Sequence, residues 1–381
     1  MTLRDCAAIT GIGETDYTRG SGRTALVLSL QAALAAAADA GISPRDIDGV
    51  IAMGGRGAIA EDIVTNFGIS DLRLSLQVPM GGASAVAALQ TAAAAIATGI
   101  CRHILIVIGR DAFPGSRIST RLYTIPAFRT VGEFELPLGA VSPAQHYAPM
   151  ARRHMAQYGT TTDDFAAIAV TTRRHAALND RALMRKPITA ADHAASRMIS
   201  DPFRLLDCSQ ENDGGAAVIV SVPDLARGPK ILLSGLAEGH PDSPASITQR
   251  DDLTTLGVAK AAARAFTMAG IGPQDIQVAE IYDCFTYIVL CQLEDLGFCA
   301  KGDGGRYVRE TGLGLDSRMP VNTHGGLLSQ AHMAGMNHVV ELVRQLRGEA
   351  GRAQVTNAEL GLVSGYGDMG DGAVAIMRRA A

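Results

Sequence analysis

The most informative stretch of the chain reads Val321-Asn322-Thr323-His324-Gly325-Gly326-Leu327-Leu328-Ser329-Gln330-Ala331-His332. A Gly-Gly pair has no side chains, so the backbone there can approach a bound ligand closely. His332 follows at the start of a helical run, where an imidazole can act as an acid, a base or a hydrogen-bond donor to an oxyanion. The stretch therefore predicts a functional loop in front of a helix.

The rest of the chain contains the same sequence of elements twice. Residues 24–52 hold an Ala-rich helix, the turn Gly41–Asp48 and the apolar strand Gly49–Ala52, and residues 256–282 repeat this order. In both copies a Gly ends the helix and a Pro lies in the turn. Each half also opens on a strand, at Ala7–Gly11 and Lys230–Ser234. The repeat predicts two duplicated α/β halves.

Each half closes with a helix and an apolar strand, at 83–98 and His103–Ile108, and again at 333–347 and Leu360–Val363. We place the first half at 1–225 and the second at 229–381. A long insertion, about 112–200, interrupts the first half. It holds the loop-like stretch Gly115–Phe134, then helices around Ala144–Tyr158 and 163–176. An insertion of this size in a compact domain is usually functional.

Composition excludes several classes of protein. The 381 residues have a net charge of −4, only 4% aromatic residues and no Trp, which argues against nucleic-acid binding. The Ala-rich run at 81–100 is the nearest approach to a membrane span, but Gln90 within it favours a buried helix. The six cysteines have neither zinc-site nor disulfide spacing. With no secretory h-region before Asp5, we expect a soluble cytoplasmic protein.

Four motifs, in this order and spacing, resemble the thiolase fold and its thiolase-like lipid-transfer branch, which is related to sterol-carrier-protein thiolases. Asp213–Ala217 resembles the family's "DGAAA" segment, and Tyr282-Asp283-Cys284-Phe285 lies where thiolases have "NEAF". His332 lies at the histidine of the "GHP" loop, and Tyr366–Gly372 at the last catalytic loop. The resemblance implies an α/β fold of two βαβαβαββ halves, layered α/β/α/β/α, with a large insertion loop.

The chain departs from thiolases at the nucleophile. Counting back from Gly99, which ends the first-half helix, places the nucleophilic cysteine's position at Gly82, and no cysteine lies within several residues. The second catalytic cysteine of thiolases falls near Val363 or Ser364. The histidine loop reads Ala331-His332-Met333 and lacks the usual Gly and Pro.

His332 and Tyr282 are the predicted catalytic residues. A phenol at 282 can donate a hydrogen bond to an oxyanion or exchange a proton with substrate. Asp283 is interpreted as an orienting residue or a helix cap, and Cys284 as either packing or a displaced nucleophile. His338 is expected to be packed or exposed. Some aldolases that the chain resembles carry a second Tyr at position 332, so the division of roles between the two catalytic residues stays open.

Glycines and polar residues of the same loops are predicted to contact the substrate. These are Gly82, Ser84, Asn322, His324, Gly325, Gly326, Tyr366 and Gly367. Arginines of the insertion can meet the phosphates of coenzyme A, and the sequence does not distinguish among Arg117, Arg121, Arg129, Arg152, Arg153, Arg173 and Arg174. We predict no metal and no covalently bound cofactor, with coenzyme A entering as part of the substrate.

Without an acyl-enzyme, enolate chemistry remains possible. Retro-aldol cleavage of a β-hydroxyacyl-CoA releases a thioester enolate that hydrogen-bond donors can hold, and the resemblance extends to aldolases that cleave steroid side chains in this way. The alternatives are an acyltransferase that uses Cys284 and a non-catalytic subunit that binds acyl-CoA or lipid. The resemblance also implies a homodimer and a small partner protein with an OB-fold and a zinc ribbon.

Overall fold

The computed structural model describes residues 2–53, 57–113, 130–242, 250–367 and 370–380. The first half holds strands β1 (Ala8–Glu14), β2 (Gly49–Ala52), β3 (Leu74–Leu76), β4 (His103–Asp111) and β7 (Asp213–Ser221), and the insertion holds β5 (Met198–Ser200) and β6 (Phe203–Arg204). The second half holds β8 (Ile231–Gly239), β9 (Val278–Ile281), β10 (Leu360–Gly367) and β11 (Asp371–Arg379). Helices of the first half and insertion are α1 (Ala25–Asp39), α2 (Ala60–Phe67), α3 (Ser84–Ala97), α4 (Pro143–Tyr158), α5 (Thr162–Leu178) and α6 (Ala190–Ala195). Those of the second half are α7 (Val258–Ala269), α8 (Thr286–Asp295), α9 (Gly304–Glu310) and α10 (Met336–Arg347).

Nine strands form one sheet in the order β3-β2-β4-β7-β1-β8-β11-β10-β9. The halves meet where β1 and β8 pair antiparallel, Ala8 opposite Leu232 and Ile9 opposite Ile231. Outward from this seam the order repeats, because β1, β7, β4 and β2 correspond to β8, β11, β10 and β9. The β2–β4 and β9–β10 pairs are parallel in both halves, while β7 and β11 run antiparallel to their neighbours.

The repeated turn has the predicted local structure in both copies. Gly41 and Gly270 follow their helices in the left-handed region, with φ of 65° and 69°. A single 3₁₀ turn then begins at a proline, at Pro44–Asp46 and at Pro273–Asp275. In each turn the aspartate carboxylate accepts a hydrogen bond from the backbone N–H three residues earlier. This is the capping that a short turn between helix and strand requires.

Helices lie on both faces of the sheet and form the predicted layers. The outer helices pack on strand glycines: a side chain at Gly11 or Gly215 would overlap the backbone of α1, and one at Gly235 would overlap that of α7. Between the two halves, α3 and α10 contact strands of both. Ten of the 14 residues of α3 and ten of the 12 residues of α10 are buried, as expected for helices that lie in a central layer. No helix of the described residues is long and apolar enough to cross a membrane.

The second half differs from the prediction in one strand. In the described residues it has four strands rather than five, because the neighbour of β9 is reduced to a single bridge between Ala279 and Val321. Asn322 then leaves the extended conformation, with φ of 55°. Its side-chain amide continues the ladder instead: Oδ1 accepts from the Ile281 N–H at 2.7 Å, and Nδ2 donates to the Ile281 carbonyl at 2.8 Å.

Candidate active site

The phenol of Tyr282 lies against Gly82, the position at which the resemblance to thiolases predicts the nucleophile. Strand β9 ends at Ile281, and Tyr282 is the next residue. Gly82 lies in the turn Gly81–Ala83 that leads into α3. A Cβ at Gly82 would overlap the Cζ and hydroxyl oxygen of Tyr282. The structure therefore leaves no room for a side chain at 82 while Tyr282 is in place.

His332 completes the site. Its Nε2 lies 3.5 Å from the Tyr282 hydroxyl, and the two rings are perpendicular, with centroids 6.2 Å apart. Its backbone N–H donates to Asn212 Oδ1 at 2.5 Å, and its Nδ1 lies 2.8 Å from a guanidinium nitrogen of Arg110. A separation of 3.5 Å is long for a hydrogen bond, and contacts of this kind often tighten only when substrate binds.

Sequence reasoning missed Arg110 and Asn212. A usable signal existed for Arg110, because side chains alternate between the faces of a strand. In β4, Ile104, Ile106 and Ile108 belong to the core that holds α3 and α10. Arg110 continues this row at the carboxyl end of the strand, so its charge lies on the central face. For Asn212, a buried residue just before β7, we find no comparable sequence signal.

Burial and Arg110 set the protonation of the site. Burial lowers the pKa of His332 well below its ordinary value, and the positive charge of Arg110 lowers it further. Burial raises the pKa of Tyr282 well above its ordinary value, although Arg110 acts in the opposite direction. At neutral pH the resting site therefore contains a neutral imidazole and a neutral phenol.

Asp283 orients the loop that leads to His332. Its buried carboxylate accepts hydrogen bonds from the N–H groups of Leu327 at 2.7 Å and Leu328 at 3.3 Å, and lies 3.0 Å from Nε2 of His338. The ring of His338 in turn stacks against Tyr282, with centroids 6.1 Å apart. Asp283 thus binds the first N–H groups of the helical turn Gly326–Gln330, a contact that both caps the turn and orients the loop, and His338 is packed rather than exposed.

The two loop glycines have a structural role, and the substrate contact that we expect of them stays a prediction. Gly326 has φ of 56°, and a Cβ there would overlap the Asp283 carboxylate. A Cβ at Gly325, with φ of 101°, would lie 2.6 Å from the Cβ of Ala176 in α5. The glycines therefore let the loop pack against the protein itself.

Other predicted substrate contacts are also engaged within the protein. Ser84 Oγ accepts from the Met80 N–H at 2.9 Å, and Asn322 binds Ile281 as described. Gly367 packs against the turn 80–83, where any side chain would overlap the Met80 carbonyl. His324 and Tyr366 are buried, His324 with Nδ1 2.9 Å from Glu280 Oε2, and Tyr366 with its ring edge-on to Tyr147 at 5.6 Å. Of the predicted contacts only Gly82 adjoins the catalytic pair.

Cys284 lacks the surroundings of a nucleophile. Burial raises the pKa of its thiol well above the ordinary value, and the Asp283 carboxylate raises it further. Among the described residues, no histidine or lysine hydrogen-bonds to it. A reactive cysteine requires a positive neighbour or a base that favours the thiolate, so Cys284 is a packing residue in this structure.

The insertion braces the histidine loop. From α5, Arg173 Nε donates to Ser329 Oγ at 2.9 Å, and Asn179 donates to the His324 carbonyl at 2.9 Å. Arg173 is buried by this contact, so it is not placed to bind a phosphate as we had considered. Of the other candidates, Arg152 pairs with Asp201, and Arg153 and Arg174 are exposed. Arg117, Arg121 and Arg129 lie outside the described residues.

Comparisons with known proteins identify the family to which the chain belongs. A family model described as "Thiolase C-terminal domain-like" matches residues 239–379. The chain is 39% identical over 357 residues to a steroid side-chain-cleaving aldolase of Thermomonospora curvata, covering 91% of each protein. It is equally similar to a 17-hydroxy-3-oxo-4-pregnene-20-carboxyl-CoA lyase of Mycobacterium tuberculosis, over 90% of this chain and 92% of the relative.

Among solved structures, the chain is similar to an Ltp2-ChsH2(DUF35) aldolase, with a TM-score of 0.91 and 36% identity over 99% of this chain and 98% of that one. The predicted thiolase fold is thereby confirmed. At this identity and coverage the chain belongs to the thiolase-like, sterol-carrier-protein family that includes the steroid side-chain-cleaving aldolases.

Proposed function

We propose that this protein is a carbon–carbon lyase that cleaves a β-hydroxyacyl-CoA by a retro-aldol reaction, with no acyl-enzyme. One observation carries the proposal: the Tyr282 phenol lies against Gly82, the predicted nucleophile position, and 3.5 Å from His332. The site thus has two polar hydrogens and no activated thiol. The names of the two relatives, a side-chain-cleaving aldolase and a carboxyl-CoA lyase, support the same chemistry.

The reaction needs no external oxidant or reductant. The β-hydroxyl loses its proton, the Cα–Cβ bond breaks, and a ketone or aldehyde leaves. The bonding electrons pass into the thioester as an enolate, which then takes a proton at Cα. A donor at about 2.7–3.1 Å from the thioester oxygen stabilises this enolate, and His332 and Tyr282, 3.5 Å apart, provide one group for that donation and one for the proton exchange. Each donor of this kind contributes about 3–4 kcal/mol to a barrier.

We further propose that the enzyme works as a homodimer together with a small OB-fold and zinc-ribbon partner. The partner is supported by the similar aldolase, whose name describes a complex with a DUF35 protein. The dimer is supported by β3, the outermost strand of the first half in the described sheet, where Leu76 is exposed. Mass photometry of the co-purified proteins measures the stoichiometry, and a one-to-one heterodimer would contradict this assembly.

The activity is tested with the co-expressed complex and a β-hydroxyacyl-CoA, with carbonyl and acyl-CoA products followed by mass spectrometry. Tyr282→Phe removes only the hydroxyl and is expected to lower kcat about 10²–10³-fold with little change in KM. Tyr158→Phe is the matched control, because its hydroxyl accepts a hydrogen bond from Gln157 on the surface. We expect it to retain wild-type kcat.

Two results would contradict the proposal. One is a Tyr282→Phe variant with the wild-type rate. The other is the absence of a carbonyl product from both branched and unbranched β-hydroxyacyl-CoA thioesters when the partner is present. An acyl adduct on Cys284 would instead support acyl transfer, and tight acyl-CoA binding without turnover would support a binding subunit.

A further inference from the structure

We propose that Arg110 is a positioning residue that holds the proton of His332 on Nε2, so that His332 is the hydrogen-bond donor and Tyr282 is the residue that exchanges a proton with the substrate. The division of roles rests on the proposed lyase function. The position of the proton on His332 does not, because it follows from the resting structure.

In the contact between Arg110 and His332 only the guanidinium group can be the hydrogen-bond donor. A guanidinium group has N–H donors and no acceptor. Because its nitrogen lies 2.8 Å from His332 Nδ1, Nδ1 must be the acceptor and carries no hydrogen. A neutral imidazole then has its hydrogen on Nε2. This is the nitrogen that faces Tyr282.

The second step concerns the charges around the imidazole. Arg110 from β4 and His338 from α10 both disfavour a positive charge on His332, as does burial. Tyr282 lies 3.5 Å away after β9, and Asn212 binds the backbone N–H. No carboxylate contributes to stabilising an imidazolium at this position in the described residues. The neutral Nε2–H form is therefore the resting form.

The third step assigns the roles. With Nδ1 bonded to Arg110 and a hydrogen on Nε2, His332 has no free lone pair to take a proton from the β-hydroxyl. Tyr282 is the other titratable group at the same place. Its phenol is neutral because burial raises its pKa, although the charge of Arg110 acts in the opposite direction. As the Cα–Cβ bond breaks, the phenol oxygen takes the β-hydroxyl proton and the phenol passes its own hydrogen to Cα, so Tyr282 is neutral before and after the reaction.

The position of Arg110 suits this function. It lies on β4 rather than on a loop, opposite Gly214 of β7 in an antiparallel pair. A guanidinium fixed on a central strand holds the imidazole more accurately than one on a mobile segment. The arrangement joins a cation, an imidazole and a phenol in a row, Arg110–His332–Tyr282.

Nitrogen NMR of the purified protein with ¹⁵N-labelled histidine tests the proton position without any turnover. The His332 signals are identified by their loss in His332→Gln. We expect wild-type His332 to be neutral with the hydrogen on Nε2 throughout the neutral pH range. In Arg110→Met we expect mixed tautomers and a higher pKa, while Arg110→Lys restores a donor and a charge. A wild-type signal of the Nδ1–H form or of an imidazolium would overturn the proposal.

Kinetics of two His332 variants test the role. A Gln side chain places an N–H near the Nε2 position, whereas the amide of Asn lies nearer to Nδ1. If His332 is a donor, His332→Gln is expected to retain about a tenth of the wild-type kcat, and His332→Asn and His332→Ala about a hundredth or less. Equal loss in Gln and Ala would overturn the donor role. The NMR result stands independently, so failure of the lyase function remains distinguishable from failure of this proposal.

Arg110 variants are expected to affect kcat rather than KM. Arg110→Met should lower kcat about 10–100-fold, and Arg110→Lys should recover part of it. An Arg110 that merely filled space would leave the tautomer and the pKa of His332 unchanged. Wild-type kcat in Arg110→Met would overturn the positioning role.

Discussion

At the residue scale, Gly82 and Tyr282 compete for the same volume. Gly82 is the position at which the sequence predicts the cysteine of thiolases, and Tyr282 occupies the space that a side chain there would need. The two positions therefore depend on each other. A cysteine cannot be restored at 82 unless Tyr282 is also changed, so thiolase chemistry and the Tyr282–His332 pair exclude one another in this chain.

A double-mutant cycle at 82 and 282 measures this dependence. Gly82→Ala is expected to lower the free energy of unfolding by about 1–3 kcal/mol through overpacking and to displace the phenol. In a Tyr282→Ala background the same change should cost less, with a coupling of about 0.5–3 kcal/mol. Some cost remains, because the Tyr366 carbonyl also lies within reach of a side chain at 82. Additive effects in denaturant unfolding would show that the two residues do not compete for space.

The sequence predicted that Tyr282 and His332 share one site, but not which atoms surround them. Motif spacing placed Tyr282 and His332, and the structure brings them to 3.5 Å. The loop glycines were assigned to substrate because glycine permits close approach of any atom, and a sequence does not say which atom approaches. Here the atoms belong to Asp283 and Ala176. Arg110 was missed because it is distant in sequence from every motif.

At the scale of elements, the Asn322 side chain replaces a strand. A full neighbour for β9 would have bonded Ile281 through its backbone, and the Asn322 amide makes both of those bonds instead. The repeat of helix, glycine, proline turn and strand was predictable, since each residue type acts locally. The loss of the fifth strand was not, because a side chain that imitates a backbone amide leaves the apolar pattern unchanged.

Substitution of Asn322 tests this replacement. Asn322→Ala leaves the Ile281 N–H and carbonyl buried without partners, which costs about 1–3 kcal/mol for each group. Because Asn322 has φ of 55°, part of any loss comes from backbone strain. Asn357 is the matched control, an exposed asparagine with φ of 56°. Chemical unfolding should show a clearly larger loss for Asn322→Ala than for Asn357→Ala, and equal losses would assign the whole effect to φ.

At the scale of the whole molecule, a polar network lies under the active site inside the central layer. Glu280 Oε1 accepts from the Thr323 hydroxyl at 2.8 Å, and Thr323 also contacts Glu341 at 2.7 Å. His324 lies against the other Glu280 oxygen. Burial raises the pKa of Glu280 to about 8 and lowers that of His324 to about 3, so both are neutral at pH 7. Asn337 Nδ2, a donor, lies 3.2 Å from His324 Nε2, so the neutral imidazole carries its hydrogen on Nδ1, the nitrogen that faces Glu280.

Because of Glu280, the free energy of unfolding of the molecule depends on pH. In the unfolded chain Glu280 loses its proton near pH 4.5, whereas in the fold it retains the proton to about pH 8. The unfolded state therefore binds fewer protons in this window, and the free energy of unfolding falls as the pH rises. Glu280→Gln is neutral at every pH and its amide oxygen can accept from His324 Nδ1, so it should flatten that decline, apart from a remainder due to Glu341, whose pKa burial also raises.

At acid pH, His324 makes the stability of the fold depend on pH in the opposite direction, and this dependence provides an internal check. In the unfolded chain His324 gains a proton near pH 6.5, whereas in the fold it stays neutral down to about pH 3. The free energy of unfolding therefore falls as the pH falls through this window. Glu280→Gln should leave this loss of stability at acid pH unchanged. Denaturant unfolding from pH 4 to 8 measures the decline at acid pH and the decline at higher pH, with substitution of the exposed Glu359 by Gln as the control. If Glu280→Gln follows the wild-type decline between pH 5 and 8, Glu280 is ionised in the fold, and the network must be held by a charged pair with His324 instead.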